Sequence, residues 1–209
     1  MEDFRKLQGE SLAVQTLQEV AALPDVSTEL VKDSVLVVAT LYKNALAVSD
    51  FSLCEQALQT LLSLADAGDE TLQRKVFFAL TVLVDRFPPM AEFFTQRGGV
   101  ALLERAVTSG PTAQKERALQ MYRRLLALFP RRPALSTVNV CSRCMEDLTA
   151  SPANSLLQAY VELLQTAKEQ GEESCLAQLE ASEGFMRVMR EKYRALRELA
   201  RTGRRGGAE

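Results

Sequence analysis

The residues best placed to do chemistry are two cysteines, Cys141 and Cys144, which form a Cys-Ser-Arg-Cys motif. A pair of this spacing binds zinc when two further ligands lie nearby, or exchanges disulfides when a βαβ unit carries it. The sequence has no His, its only other thiols are Cys54 and Cys175, and no strand pattern surrounds the motif. We therefore interpret the cysteines as structural or incidental, and we expect no metal and no cofactor.

Other signatures of catalysis are also missing from the sequence. A chain without His lacks the commonest general base of enzymes and cannot form a His-based triad. The Gly98-Gly99 pair follows no strand pattern and precedes no Gly-Lys-Ser or Gly-Lys-Thr, so it does not read as a phosphate-binding loop. The sequence therefore predicts a protein that acts by binding and is not an enzyme.

Composition and charge narrow the class of partner. The 209 residues are 47% apolar and 25% charged, with a formal net charge of −2, which gives no general attraction to nucleic acid or to an anionic membrane. The basic residues of 187–201 alternate with Glu, as on a solvated helix, and the longest apolar stretch, 76–84, is too short to cross a bilayer. We expect a monomer with a protein partner, and neither nucleic acid nor membrane as a ligand.

The first residues, Met1–Arg5, lack the apolar core of a signal peptide. Two interpretations stay open at this point. The protein is cytosolic, or the chain is a mature or trimmed form of a longer precursor.

The elements that must position any binding site are helices. Apolar residues recur at helical spacing, and Pro, Gly and capping residues separate the segments. Asp69, for example, is predicted to cap the long helix that ends at Phe87. The predicted helices cover residues 11–22, 30–42, 51–67, 70–87, 90–96, 100–107, 112–129, 134–149, 154–170 and 173–202.

The sequence contains an internal repeat. Phe87-Pro88 returns as Phe129-Pro130, and at the same spacing apolar residues of 77–84 fall on apolar residues of 119–126. A helical repeat of roughly 40–47 residues is typical of armadillo and HEAT arrays. We predict an all-α, armadillo/HEAT-like, right-handed solenoid of three to four repeats of about 42 residues. We expect one domain over 1–203, with core repeats at 28–170, a C-terminal helical cap at 173–202 and a frayed tail at 204–209.

The helical phase separates a core face from a binding face. Leu72, Val76, Leu80, Leu83 and Phe87 cluster on one side of their helix, which we predict to be buried. Since the last helix of each armadillo repeat lines the concave side, the opposite faces predict a mixed-charge groove for a folded protein. Phe78 is its predicted aromatic anchor. The predicted partner-binding residues are Lys32, Lys43, Arg74, Phe78, Thr81, Asp85, Glu116, Gln120 and Arg123.

One stretch resembles a known family. The residues Lys75, Phe78-Ala79-Leu80, Leu83, Phe87-Pro88, Phe94 and Gly98-Gly99 are similar in type and spacing to the armadillo-type nucleotide exchange factors of heat-shock chaperones. The pattern is closest to the endoplasmic-reticulum branch, the Sil-type factors associated with BiP. The direct resemblance is confined to the stretch from Arg74 to Leu103, and the helical repeat extends it loosely over roughly 30–200.

The resemblance implies a co-chaperone function. In that family the solenoid clasps lobe II of the nucleotide-binding domain of a seventy-kilodalton chaperone and promotes ADP release. It implies BiP as the partner and the lumen of the endoplasmic reticulum as the location, with the cytoplasm as the alternative.

Three other functions compete with this one. A generic armadillo scaffold with an unrelated partner is the main alternative. A nuclear-import type of peptide binder would need a ladder of Trp and Asn, but the chain has no Trp and only three Asn. An all-α enzyme has no catalytic constellation to support it.

Overall fold

The computed structural model of the chain describes residues 9–45, 50–129, 154–169, 187, 190 and 191. Every regular element among these residues is an α-helix, which confirms the all-α prediction. The helices are α1 (Gly9–Ala22), α2 (Thr28–Asn44), α3 (Phe51–Leu64), α4 (Glu70–Arg86), α5 (Pro88–Gln96), α6 (Gly99–Ser109), α7 (Thr112–Leu128) and α8 (Asn154–Glu169).

Several predictions fall outside this part of the chain. The described residues exclude the predicted helix at 134–149, the tail at 204–209 and all of the cap at 173–202 except three helical positions. They also exclude Cys141, Cys144 and Cys175.

Three helices carry the repeat. Helices α2, α4 and α7 each contain 17 residues. They begin at Thr28, Glu70 and Thr112 and end at Asn44, Arg86 and Leu128, so the same helix returns at a constant spacing. That spacing lies within the armadillo and HEAT range of about 40–47 residues. The period predicted from the recurring Phe-Pro pairs is therefore also the spacing of the helices.

Local capping explains where α2 and α4 begin. Asp69 caps α4, as predicted, because its carboxylate accepts a hydrogen bond of 2.6 Å from the Leu72 amide. Ser27 caps α2 through the Leu30 amide, at 3.3 Å. Each of these oxygens satisfies an amide that the first turn of a helix leaves without an intrahelical partner.

The Gly98-Gly99 pair serves the turn between α5 and α6. Gly98 has a φ of 86°, a left-handed conformation that favours glycine. Gly99 is the first residue of α6, and a Cβ atom there would overlap the ring of buried Phe94. The pair thus permits a sharp turn and a close approach of backbone to ring, which is a structural role.

The core follows the predicted helical phase. All five residues predicted to form the core face of α4 are buried: Leu72, Val76, Leu80, Leu83 and Phe87. Phe77 of the same helix is buried as well. Phe87 packs edge-to-face against Tyr42 of α2, with ring centroids 6.0 Å apart. The apolar faces of the two repeat helices therefore meet in one core.

The chain divides into two compact units, Met1–Ala106 and Val107–Glu209, and α6 spans their boundary. In the first unit, α4 packs against α2, α3 and α5, while α1 packs against α2 and α3. In the second unit, α7 packs against α8. The single domain over 1–203 stays a prediction. Within the described residues, no helix combines the length and the apolar character needed to span a membrane.

Candidate functional site

The predicted binding residues of the first unit differ in exposure. Lys43, Arg74 and Asp85 are exposed, whereas Phe78 and Thr81 are half-buried. Lys32 is buried, with only 6% of its surface accessible. Helices α2 and α4 position all six of these residues, since the two helices pack against each other.

Lys32 joins the two helices. Its ammonium lies 2.8 Å from the Glu29 carboxylate in its own helix and 3.3 Å from the Asp69 carboxylate at the start of α4. The hydrogen bond to Glu29, with a further contribution from Asp69, raises the pKa of Lys32 against the opposing effect of burial. In the structure this lysine is thus part of the packing between repeats, and its contact with a partner stays a prediction.

Lys43 and Phe78 are brought together at the other end of these helices. The Lys43 ammonium lies 5.7 Å from the centre of the Phe78 ring, within the range of a cation–π interaction. The Arg86 guanidinium donates a hydrogen bond to the Lys43 carbonyl oxygen. A half-buried aromatic ring therefore lies beside the Lys43 ammonium, and Arg86 binds the backbone of that lysine. This arrangement is suited to contact with a protein surface.

Arg74 and Thr81 are held by their own helix. The Arg74 guanidinium donates to the Thr71 hydroxyl at 3.3 Å, and the Thr81 hydroxyl donates to the Phe77 carbonyl oxygen at 2.8 Å. The Arg74 side chain is exposed, and a guanidinium carries five N–H donors. Of the two residues, Arg74 is therefore the better placed to form a new ion pair.

The second unit contains the other three predicted residues, all on α7. Gln120 is exposed, and Glu116 and Arg123 are half-buried. The Arg123 guanidinium forms an ion pair with Glu162 of α8. This residue, like Lys32, connects two packed helices.

The ion pairs between helices were not predicted from the sequence. Glu162 lies 39 residues from Arg123 and has no local signal. Asp33 and Lys75, which form an ion pair of 3.7 Å between α2 and α4, occupy equivalent positions of successive repeats. Aligning the two repeats places these opposite charges at the same position, so the sequence contained a signal for this ion pair.

Buried groups of the first unit offer little reactive chemistry. Cys54 is buried and free, and its burial raises the pKa of the thiol to about 11. Burial also raises the pKa of Tyr42, and nearby Cys54 and Glu10 add to the rise. A thiol of such a pKa is almost entirely protonated at neutral pH and is a poor nucleophile. No group of His, Cys, Asp and Glu in the described segments is arranged to hold a metal ion.

Comparison with known proteins identifies the fold. No protein-family profile and no curated protein match the chain. A designed armadillo repeat protein in complex with the peptide (KR)4 is similar in structure, with a TM-score of 0.59 and 13% identity over 90% of this chain and 81% of that chain. An engineered protein gives a TM-score of 0.46 and 14% identity over 90% of this chain and 95% of that chain. The first similarity confirms an armadillo-like helical repeat fold.

Proposed function

We propose that this protein is a nucleotide exchange factor that binds the nucleotide-binding domain of a seventy-kilodalton heat-shock chaperone, BiP in the first instance, and promotes ADP release. The observation that carries the proposal is the combination of an armadillo-like repeat with the exchange-factor pattern between Lys75 and Gly99. The corresponding location is the lumen of the endoplasmic reticulum, and the cytoplasm is the alternative.

Buried and exposed residues have different proposed roles. Phe87, Phe94, Gly98 and Gly99 build the turns and the core, so their similarity supports a common scaffold. The proposed contacts with the chaperone are the predicted binding residues that are exposed or half-buried, whether they lie inside or outside the exchange-factor pattern. In the first unit these are Lys43, Arg74, Phe78, Thr81 and Asp85, with buried Lys32 holding the helices that carry them; in the second unit they are Glu116, Gln120 and Arg123.

The proposed activity needs no catalytic side chain. A factor that binds the open nucleotide-binding domain more tightly than the ADP-bound closed one shifts the equilibrium toward the open form. By linkage, the factor and ADP each weaken the binding of the other by the same ratio. Mixed charge along α2 and α4 suits such a partner, because a folded domain presents charges of both signs.

The experiment that tests the proposal measures the release of a fluorescent ADP analogue from BiP and from a cytosolic homologue, each with and without this protein. Faster release from BiP alone supports the exchange function and the location in the reticulum. Faster release from the cytosolic homologue alone supports the function in the other compartment. Unchanged release from both chaperones would reject the exchange function.

A generic armadillo scaffold is the second candidate. The designed protein of similar fold was solved with the basic peptide (KR)4. Residues 9–64 of this chain contain seven Asp or Glu against two Lys, so electrostatic attraction favours a basic ligand here. Binding of (KR)4 by this chain, with no effect on ADP release from either chaperone, would favour the scaffold.

A further inference from the structure

Helix α2 has an exposed apolar stripe that the proposed exchange function does not use. Leu30 and Val37 are 48% and 53% exposed, and Leu41 is half-buried. These residues are spaced by seven and four positions, so they lie on one face of the helix. We call Leu30, Val37 and Leu41 the α2 edge stripe.

Single exposed leucines are common on protein surfaces and need no explanation. The α2 edge stripe differs because its counterparts one repeat later, Leu72, Ala79 and Leu83, are all buried. The counterparts two repeats later are buried as well; they are Gln114, Met121 and Leu125. The face is thus a packing surface in the two later copies of this helix, and it is uncovered only in the first.

The charge around the stripe selects the kind of partner. Glu29 and Asp33 lie in the same turns of α2, and their side chains are 75% and 72% exposed even though each contacts a lysine. Residues 9–64 contain no Arg and two Lys, of which Lys32 is buried, against seven acidic residues, of which Glu10 is buried. Residues 65–129, by contrast, contain nine basic and seven acidic residues. The exposed charges of α2 beside the stripe are therefore acidic, and they favour a cationic ligand.

We propose that the α2 edge stripe is a docking site for an amphipathic helix of a partner protein whose apolar face is flanked by Lys or Arg. Leu30, Val37 and Leu41 receive the apolar face, as in other helix-in-groove complexes. Glu29 and Asp33 attract the flanking cations. None of these residues is among those proposed to contact the chaperone, so the site does not depend on the exchange function.

The test uses a fluorescein-labelled amphipathic peptide of about 18 residues, five helical turns of Leu and Lys. A control peptide has Glu in place of every Lys. Fluorescence anisotropy is measured with the full chain at low and high salt. We expect the Lys peptide to bind, the Glu peptide to bind at least about tenfold more weakly, and salt to weaken the Lys peptide.

Substitutions in the chain then locate the binding. The double variant Leu30→Gln/Val37→Gln is expected to lose at least about tenfold in affinity for the Lys peptide. Leu128→Gln, which changes an exposed leucine of α7, is the matched control and is expected to bind as the wild type. Since all three residues are exposed, the variants should melt close to the wild-type temperature.

Three results would overturn the proposal. The first is equal binding of the Lys and Glu peptides. The second is wild-type affinity in the double variant. The third is a wild-type dimer, seen by light scattering after size-exclusion chromatography, that becomes a monomer in the double variant. That result would identify a second copy of the chain as the occupant of the stripe.

Discussion

The Lys32 ammonium lies 3.3 Å from the Asp69 carboxylate, so a buried lysine of α2 holds the residue that caps α4. The cap and the contact between repeats therefore depend on one carboxylate. The hydrogen bond from the Leu72 amide is the main cause that lowers the pKa of Asp69, and Lys32 adds to it. This arrangement couples the start of one repeat helix to the packing of the previous one.

The first prediction concerns this carboxylate. Asp69→Ala removes both the cap and the ion pair, and should lower the melting temperature more than Asp50→Ala, which removes only an exposed cap of α3. Asp69→Asn keeps a capping oxygen and should fall between Asp69→Ala and the wild type. Equal losses in Asp69→Ala and Asp50→Ala would mean that the contact with Lys32 contributes nothing.

The second prediction is the pH dependence of the same site. Because folding lowers the pKa of Asp69, its contribution is fully present above the ordinary Asp value of about 4 and is lost as the pH falls through the folded value. The difference in melting temperature between wild type and Asp69→Asn should be constant near neutral pH and should narrow below about pH 4. Circular dichroism melts across this range measure it. A difference that persists at the lowest pH would contradict the role of the charge.

The third prediction concerns the close approach of Gly99 to Phe94. Gly99→Ala introduces a Cβ atom that overlaps a buried ring, so the variant should lose about 1–3 kcal/mol of unfolding free energy. Gly68→Ala is the matched control, because a Cβ atom there meets nothing within 4 Å. Urea denaturation compares the two variants. A Gly99→Ala protein as stable as Gly68→Ala would show that the ring can move aside.

The fourth prediction concerns the Tyr42 hydroxyl. The group is buried and makes no hydrogen bond of normal geometry among the described residues, so its desolvation cost has no strong compensating bond. Tyr42→Phe keeps the ring packed against Phe87 and should leave the unfolding free energy unchanged or raised. A clear loss of stability in urea denaturation would indicate a bond to the hydroxyl, with Cys54 or Glu10 as the partner, since both add to the rise of its pKa.

The fifth prediction tests the proposed contact with the chaperone. Arg74→Glu should slow the stimulated release of ADP from BiP without changing helicity, since the side chain is exposed. Arg97→Glu changes an exposed arginine that follows α5, loses only its contact with the Phe93 ring of that helix, and should keep full activity. Arg123 is less suited to this test, because its ion pair with Glu162 would be lost at the same time. Full activity in Arg74→Glu would remove this residue from the proposed surface.

Local sequence determined the helices and their period. Capping residues, Pro and Gly act within a few positions, and apolar spacing follows from the turn of the helix. The core face of α4 and its cap at Asp69 were therefore predictable, as was the return of the same helix at a constant spacing. The turn at Gly98 was predictable for the same reason, because its left-handed backbone is a local property.

The tertiary structure alone decided which charged and apolar groups remain available for binding. Lys32 falls on a polar strip in sequence, yet Asp69 and Glu29 engage it in a buried contact, and Arg123 pairs with a residue 39 positions away. Likewise, Leu30 and Leu72 occupy the same repeat position, but only Leu30 is exposed. Helical phase describes one helix at a time, whereas exposure and ion pairing depend on which neighbouring helix packs beside it.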